Sequence, residues 1–240
     1  MFKPLTEQQK VTLASVTQEQ SRQFFKWVYG WMAAGLVVTT VVAFLTINTG
    51  MLSSLLMNPA VLIIAMFAQI GLVIALGAAI QKMSPATAAI MFLVYSALTG
   101  FTLSLIVLTY TAGTITAAFA TTAILFAVMS VVGFTTSADL TKFRTLAMFA
   151  LIGLLIAMVV NIFLRSPMMD MVISFVGVIL FIGLLAMDTQ RLKIMAAAPE
   201  VQSDRNVAAR VAILGALNLY LDVINLFLFL LRLLGGNGRR

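Results

Sequence analysis

Cysteine and histidine are both absent from the 240 residues. Their absence excludes disulfides, thiolate nucleophiles, Cys/His zinc sites and histidine-ligated haem. It also removes any Ser-His catalytic pair and any imidazole pH switch. A switch near neutral pH must use carboxylates, whose proton affinity is set by burial and by one another. Charge is scarce as well. Only 10% of residues are charged and 62% are hydrophobic, against about a quarter charged in ordinary soluble domains. No Walker-type phosphate-binding sequence occurs, so ATP-driven work is not expected. The net charge of +7 reads as basic flanks beside anionic lipid, not as a nucleic-acid surface.

What is present is long apolar runs. They recur at about 27–47, 59–80, 86–109, 114–136, 145–164, 171–190 and 207–231. Each is near the ~20 residues a helix needs to cross ~30 Å of hydrocarbon. Turn chemistry separates them: Asn48 and Gly50, Asn58-Pro59, Ser84-Pro85, Gly113, Ser137 to Asp139, Ser166-Pro167 and Ala198-Pro199. The expected fold is all-α: a polytopic membrane protein of seven transmembrane helices. Residues 1–26 form a polar N-terminal tail, read as a short amphipathic surface helix. Residues 27–234 form the membrane domain and 235–240 a short C-terminal tail. A soluble helical bundle is the alternative, and so many apolar runs with so few charges set it aside.

Basic residues orient the chain. One set of connections holds the tail, Lys82, Lys142 with Arg144, and Arg191, Lys193 and Arg205. The other has none at 48–58 or 110–113, and holds Arg165 and the C-terminal arginines Arg232, Arg239 and Arg240. The first set is expected in the cytoplasm. Seven crossings then place the C-terminus on the periplasmic side.

Two aspartates break the apolar pattern: Asp188 in IGLLAMDTQRLK and Asp222 in LNLYLDVINLFLFLLRLLG. A carboxylate at membrane depth is costly and marks an ion path, a proton relay or a catalytic centre. In the last segment Gly215, Asn218, Asp222, Asn225, Phe229 and Arg232 fall on one helical stripe. Ser174, Gly177, Phe181, Leu184, Asp188 and Arg191 form another in the segment before it. A polar stripe in lipid must face protein or a water cavity. Asp188 and Asp222 meet only if segment six runs on toward Ala198, with Arg191 and Lys193 snorkelling or lining a cavity. Of the other polar inclusions, Gln69 and Asn161 are the expected cavity residues. The glycines Gly30, Gly35, Gly71, Gly77, Gly100, Gly133, Gly153 and Gly183 are read as close helix packing, and the scattered methionines as adaptable filling.

These elements resemble the Bax inhibitor-1 family, also called the transmembrane Bax inhibitor motif family, in its bacterial branch. AMDTQRLK is similar to the family's aspartate–Thr–Gln element, and GALNLYLDVINLFLFLLRLLG to its closing helix. The resemblance covers roughly 20–235. It implies six helices around a central seventh, and a calcium leak whose pH-sensing centre is a pair of aspartates, by motif Asp188 and Asp222. Met187 stands where the family often has an aromatic residue. Some members carry a helix-two arginine that latches one aspartate. This chain has no basic residue between Lys26 and Lys82, so Arg191, Arg232 or the paired-proton state must serve.

The expected function is a pH-sensitive calcium or cation leak or exchanger, in the bacterial inner membrane and without enzymatic activity or cofactor. Two adjacent carboxylates do not both ionise cheaply, so they share a proton. Deprotonated, they offer a weak, transient Ca²⁺ site completed by Asn225, Asn218, carbonyls and water. The expected partners are the bilayer, calcium and protons; the chain is expected as a monomer. One alternative is a regulatory protein that acts on another membrane protein, such as a quality-control protease or a stress pathway, through the tail and the 191–206 loop. Another is an intramembrane aspartic protease, although its Gly-x-Gly-Asp pattern is missing.

Overall fold

The computed structural model describes residues 7–53 and 58–236. Lys3, Arg239 and Arg240 therefore lie outside the described residues. The regular elements described are helices: α1 (Glu7–Asn48), α2 (Pro59–Ala79), α3 (Pro85–Leu103), the short α4 (Ile106–Thr109), α5 (Ala112–Thr135), α6 (Arg144–Leu164), α7 (Pro167–Ala196), the short α8 (Pro199–Ser203) and α9 (Arg205–Gly235). Single 3₁₀ turns, Ile80–Lys82 and Leu140–Phe143, follow α2 and precede α6.

Local chemistry sets the helix starts. Pro59, Pro85, Pro167 and Pro199 each occupy a first-turn position, where a missing N–H costs nothing. Ser84 accepts from the Thr87 amide, Thr111 from Thr114, and Ser166 from Met169. Asp204 takes the Asn206 amide at 2.7 Å and opens α9. Arg165, in the left-handed conformation at φ 50°, closes α6.

Three boundaries differ from the sequence reading. The stretch 86–109 is not one helix. It breaks after Leu103, where the Ser104 hydroxyl donates to the Phe101 carbonyl and competes with the helical ladder. Gly113 lies inside the first turn of α5 rather than at a break. The 191–206 segment is mostly helical, since α7 runs to Ala196 and α8 follows. At the N-terminus α1 is one helix from Glu7 to Asn48 and includes position 26.

Among the described residues seven helices are long and apolar enough to cross a bilayer. The protein is an all-α polytopic membrane protein. Phe67, Phe119, Phe149, Phe163 and Phe175 stand exposed on four different helices. In water such a surface would aggregate; in a bilayer it is the lipid-facing belt.

α9 is the central helix. Two-thirds of its span (67%) is buried, against 11–39% for the other six. It packs on α7, α1, α5 and α3. Small residues allow the closest approaches. Gly100 lies against the Thr39 backbone, Gly133 against Ala186, Gly177 against Phe229 and Gly215 against Leu192. The close-packing reading fails for Gly30, Gly71, Gly77, Gly153 and Gly183, which have open space where a side chain would be. In a bilayer that space belongs to lipid tails, so a glycine in a membrane helix need not mark a seam.

Candidate functional site

α2 and α6 stand apart from the central helix. α2 packs on α3, and α6 on α7. Between them and α9 lies a cavity of about 930 Å³. It is lined by α2 (Gln69, Ile70, Val73, Ile74), by Tyr95 of α3, and by one face each of α6, α7 and α9. The α9 face is the polar stripe itself: Asn218, Asp222, Asn225, Phe229 and Arg232. The α7 face is Phe181, Leu184, Asp188 and Arg191, with Met187 and Met195 beside them. Helical phase therefore located two of the cavity walls. Gly215, Gly177 and Ser174 belong to the same stripes but serve packing: the two glycines seat Leu192 and Phe229, and the Ser174 hydroxyl donates to the Asp170 carbonyl.

The register of α7 on α9 brings Asp188 and Asp222 near one level. Leu192 lies against Gly215, and Gly177 against Phe229. Counting antiparallel from the first contact puts Asp188 opposite position 219. Asp222 is then about one turn further along, roughly 4.5 Å at 1.5 Å per residue. This register is reached because α7 continues to Ala196, which leaves Arg191 on the cavity wall. Lys193 turns the other way. Its ammonium donates to the Phe134 carbonyl at 2.8 Å and lies 5.3 Å from the Phe134 ring centre.

Asp222 is 6% exposed, and among the described residues its Oδ2 has no hydrogen-bond partner. Asp188 is half-buried. Asp188 is the charged neighbour of Asp222, and Arg191 and Arg144 are those of Asp188. Among the described residues neither arginine closes an ion pair with Asp188. Asn225 donates through Nδ2 to the Leu221 carbonyl at 2.8 Å, so its Oδ1 is the acceptor it can offer a ligand. Arg232 stands about 15 Å beyond Asp222 along α9, stacked on Phe229 with its guanidinium carbon 5.6 Å from the ring centre. Of the two arginines considered for a latch, Arg191 is beside Asp188 and Arg232 is not.

Gln69 does line the cavity, and its amide donates to the Thr102 hydroxyl at 3.1 Å. Asn161 does not. It lies in the last turn of α6, where its Oδ1 accepts the Ser166 amide at 3.1 Å and fixes the α6–α7 turn. Sequence reasoning used Arg144 only for topology, yet it faces the cavity. Its signal was phase: Arg144, Ala147, Leu151, Leu154 and Met158 step along one face of α6, and all line the cavity.

Gln190 was not singled out in the sequence either. Its Oε1 accepts the Leu140 amide at 2.8 Å, and its Nε2 donates to the Ala138 carbonyl at 2.7 Å. The AMDTQRLK element thus clasps the loop that launches α6, and with it Arg144. In the same loop the Thr141 hydroxyl donates to Asp139. That bond, helped by the Thr141 amide and Lys142, holds the Asp139 carboxyl below the usual carboxylate range. A second buried polar cluster joins α1 to α9 through Thr39 and Tyr220, whose hydroxyls are 2.6 Å apart; Thr39 also donates to the Ser96 carbonyl.

The profile of the family described as "Inhibitor of apoptosis-promoting Bax1" matches residues 21–239. The chain is 45% identical over 209 residues to inner membrane protein YbhL of Escherichia coli K12, covering 87% of this chain and 89% of that protein. A Borreliella burgdorferi protein is 41% identical over 229 residues, covering 93% of this chain and 98% of its own. A membrane protein of Streptococcus pyogenes serotype M1 is 38% identical over 218 residues, at 90% and 93% coverage.

Proposed function

The chain belongs to the Bax inhibitor family, and we propose that within it this protein is a pH-sensitive cation leak of the bacterial inner membrane. Calcium is the ion the chemistry favours. The observation that carries the reading is the Asp222 carboxylate oxygen, buried with no partner among the described residues in a helix that walls a cavity. A membrane protein has little reason to keep such a group for stability.

Protonated, Asp188 and Asp222 share a proton and hold α7 against α9. Deprotonated, they repel and expose carboxylate oxygens. Asn225 Oδ1 and Asn218 add neutral oxygens on the same face of α9. Hard oxygen ligands of this kind suit Ca²⁺. Two carboxylates are too few for tight retention, and weak binding is what transit requires. Arg191 and Arg144 stand on the side of the spans that bears the N-terminal tail, taken as cytoplasmic from the basic residues. From there they oppose cations approaching Asp188 and stand in for a helix-two latch. The name of the Escherichia coli relative supports the inner-membrane placement.

The test is flux of Ca²⁺, Na⁺ and K⁺ through the purified chain in liposomes, with Asp188→Asn and Asp222→Asn beside the unmodified protein. Unchanged calcium flux in both variants removes this reading.

A further inference from the structure

The cavity wall is mostly apolar, and the cavity is not closed on its lipid side. Ile70 and Ile74 on α2 line it, yet they are 55% and 64% exposed; Met148 and Leu155 on α6 line it and are 51% and 53% exposed. These residues are the lips of an opening between two helices that pack elsewhere. At membrane depth such a mouth meets hydrocarbon, not water.

The tail-side end of this mouth is basic. Arg144 is the first residue of α6, and Arg191 lies one and a half turns from the end of α7. Both line the cavity, and each lies within range of the other's charge. Among the described residues neither has an ion-pair partner, and Asp188 can balance only one of them. Both stand toward the tail-side ends of their helices, the ends nearer the headgroups. Two guanidiniums lining one cavity suit the oxygens of a phosphate, to which arginine binds in a bidentate manner. Basic pockets between transmembrane helices bind anionic lipid headgroups.

We propose that the mouth between α2 and α6 is a binding site for one anionic phospholipid, with its phosphate on Arg144 and Arg191 and an acyl chain along Ile70, Ile74, Met148 and Leu155. The occupant is a lipid rather than a soluble anion because the basic end continues into an apolar wall open to the bilayer. The site rests on the cavity walls and the arginines, not on the cation reading. Asp188→Asn removes the carboxylate that competes for these arginines, so it should tighten phosphatidylglycerol binding rather than abolish it, even if it alters flux.

Native mass spectrometry of the delipidated full-length chain tests this. The probes are phosphatidylglycerol, phosphatidylcholine with the same acyl chains, and glycerol phosphate. The expected result is one phosphatidylglycerol bound at least ~10-fold more tightly than phosphatidylcholine, with glycerol phosphate failing to displace it. The double variant R144Q/R191Q should lose that preference, and Leu155→Trp, which narrows the mouth, should weaken both lipids. Equal binding of the two lipids overturns the headgroup assignment. Displacement by glycerol phosphate means a soluble-anion pocket and overturns the lipid assignment. If R144Q/R191Q does not fold, Leu155→Trp decides: undiminished phosphatidylglycerol binding overturns the proposal.

Discussion

Asp222→Asn should make the protein more stable while damaging its function. The Asp222 side chain is 6% exposed, and its Oδ2 has no partner among the described residues. An unsatisfied buried acceptor costs about 1–3 kcal/mol, more when charged, and an aspartate at the centre of a membrane helix costs roughly 2.5–3.5 kcal/mol on insertion scales. Asparagine keeps the shape and removes the charge. Part of the cost is already relieved when the pair holds a proton, so a gain of about 1–3 kcal/mol is expected under deprotonating conditions. At about 2–4 °C per kcal/mol for a chain of this size, the midpoint should rise by roughly 2–12 °C. The chain lacks cysteine, so thiol-reactive dyes cannot report unfolding. Loss of the monodisperse peak after heating in detergent can. The sign with pH follows from the charge. The gap between variant and unmodified protein should widen as pH rises and close once the pair is protonated. A variant less stable than the unmodified protein at every pH would mean that Asp222 is a satisfied structural residue, and the reasoning would fail.

Topology is testable with reporter fusions: positions 2 and 200 should report the cytoplasm and position 234 the periplasm, and a cytoplasmic signal at 234 contradicts seven crossings. Gly133→Ala should destabilise by about 1–3 kcal/mol, because the new methyl runs into the Ala186 carbonyl and lies 2.9 Å from Thr189 Cβ. Gly153→Ala, with open space at the same atom, should be neutral or gain up to about 1 kcal/mol from helix propensity; equal melting of the two variants refutes the packing account. Gln190→Leu removes the acceptor for the Leu140 amide. A net hydrogen bond of about 1 kcal/mol corresponds to roughly fivefold faster hydrogen exchange at that amide, and unchanged exchange would show that the clasp does not hold the loop.

The span number and the cavity-facing stripe of the last helix were legible because they depend on composition and phase, whereas its central position was implied by the family resemblance. Apolar runs report length directly. The stripe of Asn218, Asp222, Asn225 and Arg232 had no other face to turn to in lipid, and those residues do line the cavity. The glycines were half legible, because a missing side chain is equally consistent with a helix seam at Gly133 and a lipid-facing surface at Gly153. Arg144 was hidden by position. At the first turn of a span it looks like an ordinary topological marker, and only the approach of α6 to α7 puts it near Asp188. Asn161 misled for the opposite reason: a polar residue late in a span can simply satisfy the turn beyond it. The break at Ser104 escaped notice because one serine hydroxyl bonded to its own backbone leaves no periodic trace.

We propose that Asp188 and Asp222 form a titratable cation site. Calcium flux through the reconstituted chain, followed across pH in the unmodified protein and in the two Asp→Asn variants, tests it most directly. Flux in the unmodified protein should fall as pH drops and protons displace the cation. Asp222→Asn should abolish most flux, and Asp188→Asn should retain some and flatten the pH profile. Calcium flux with the same magnitude and pH dependence in all three proteins would contradict the account.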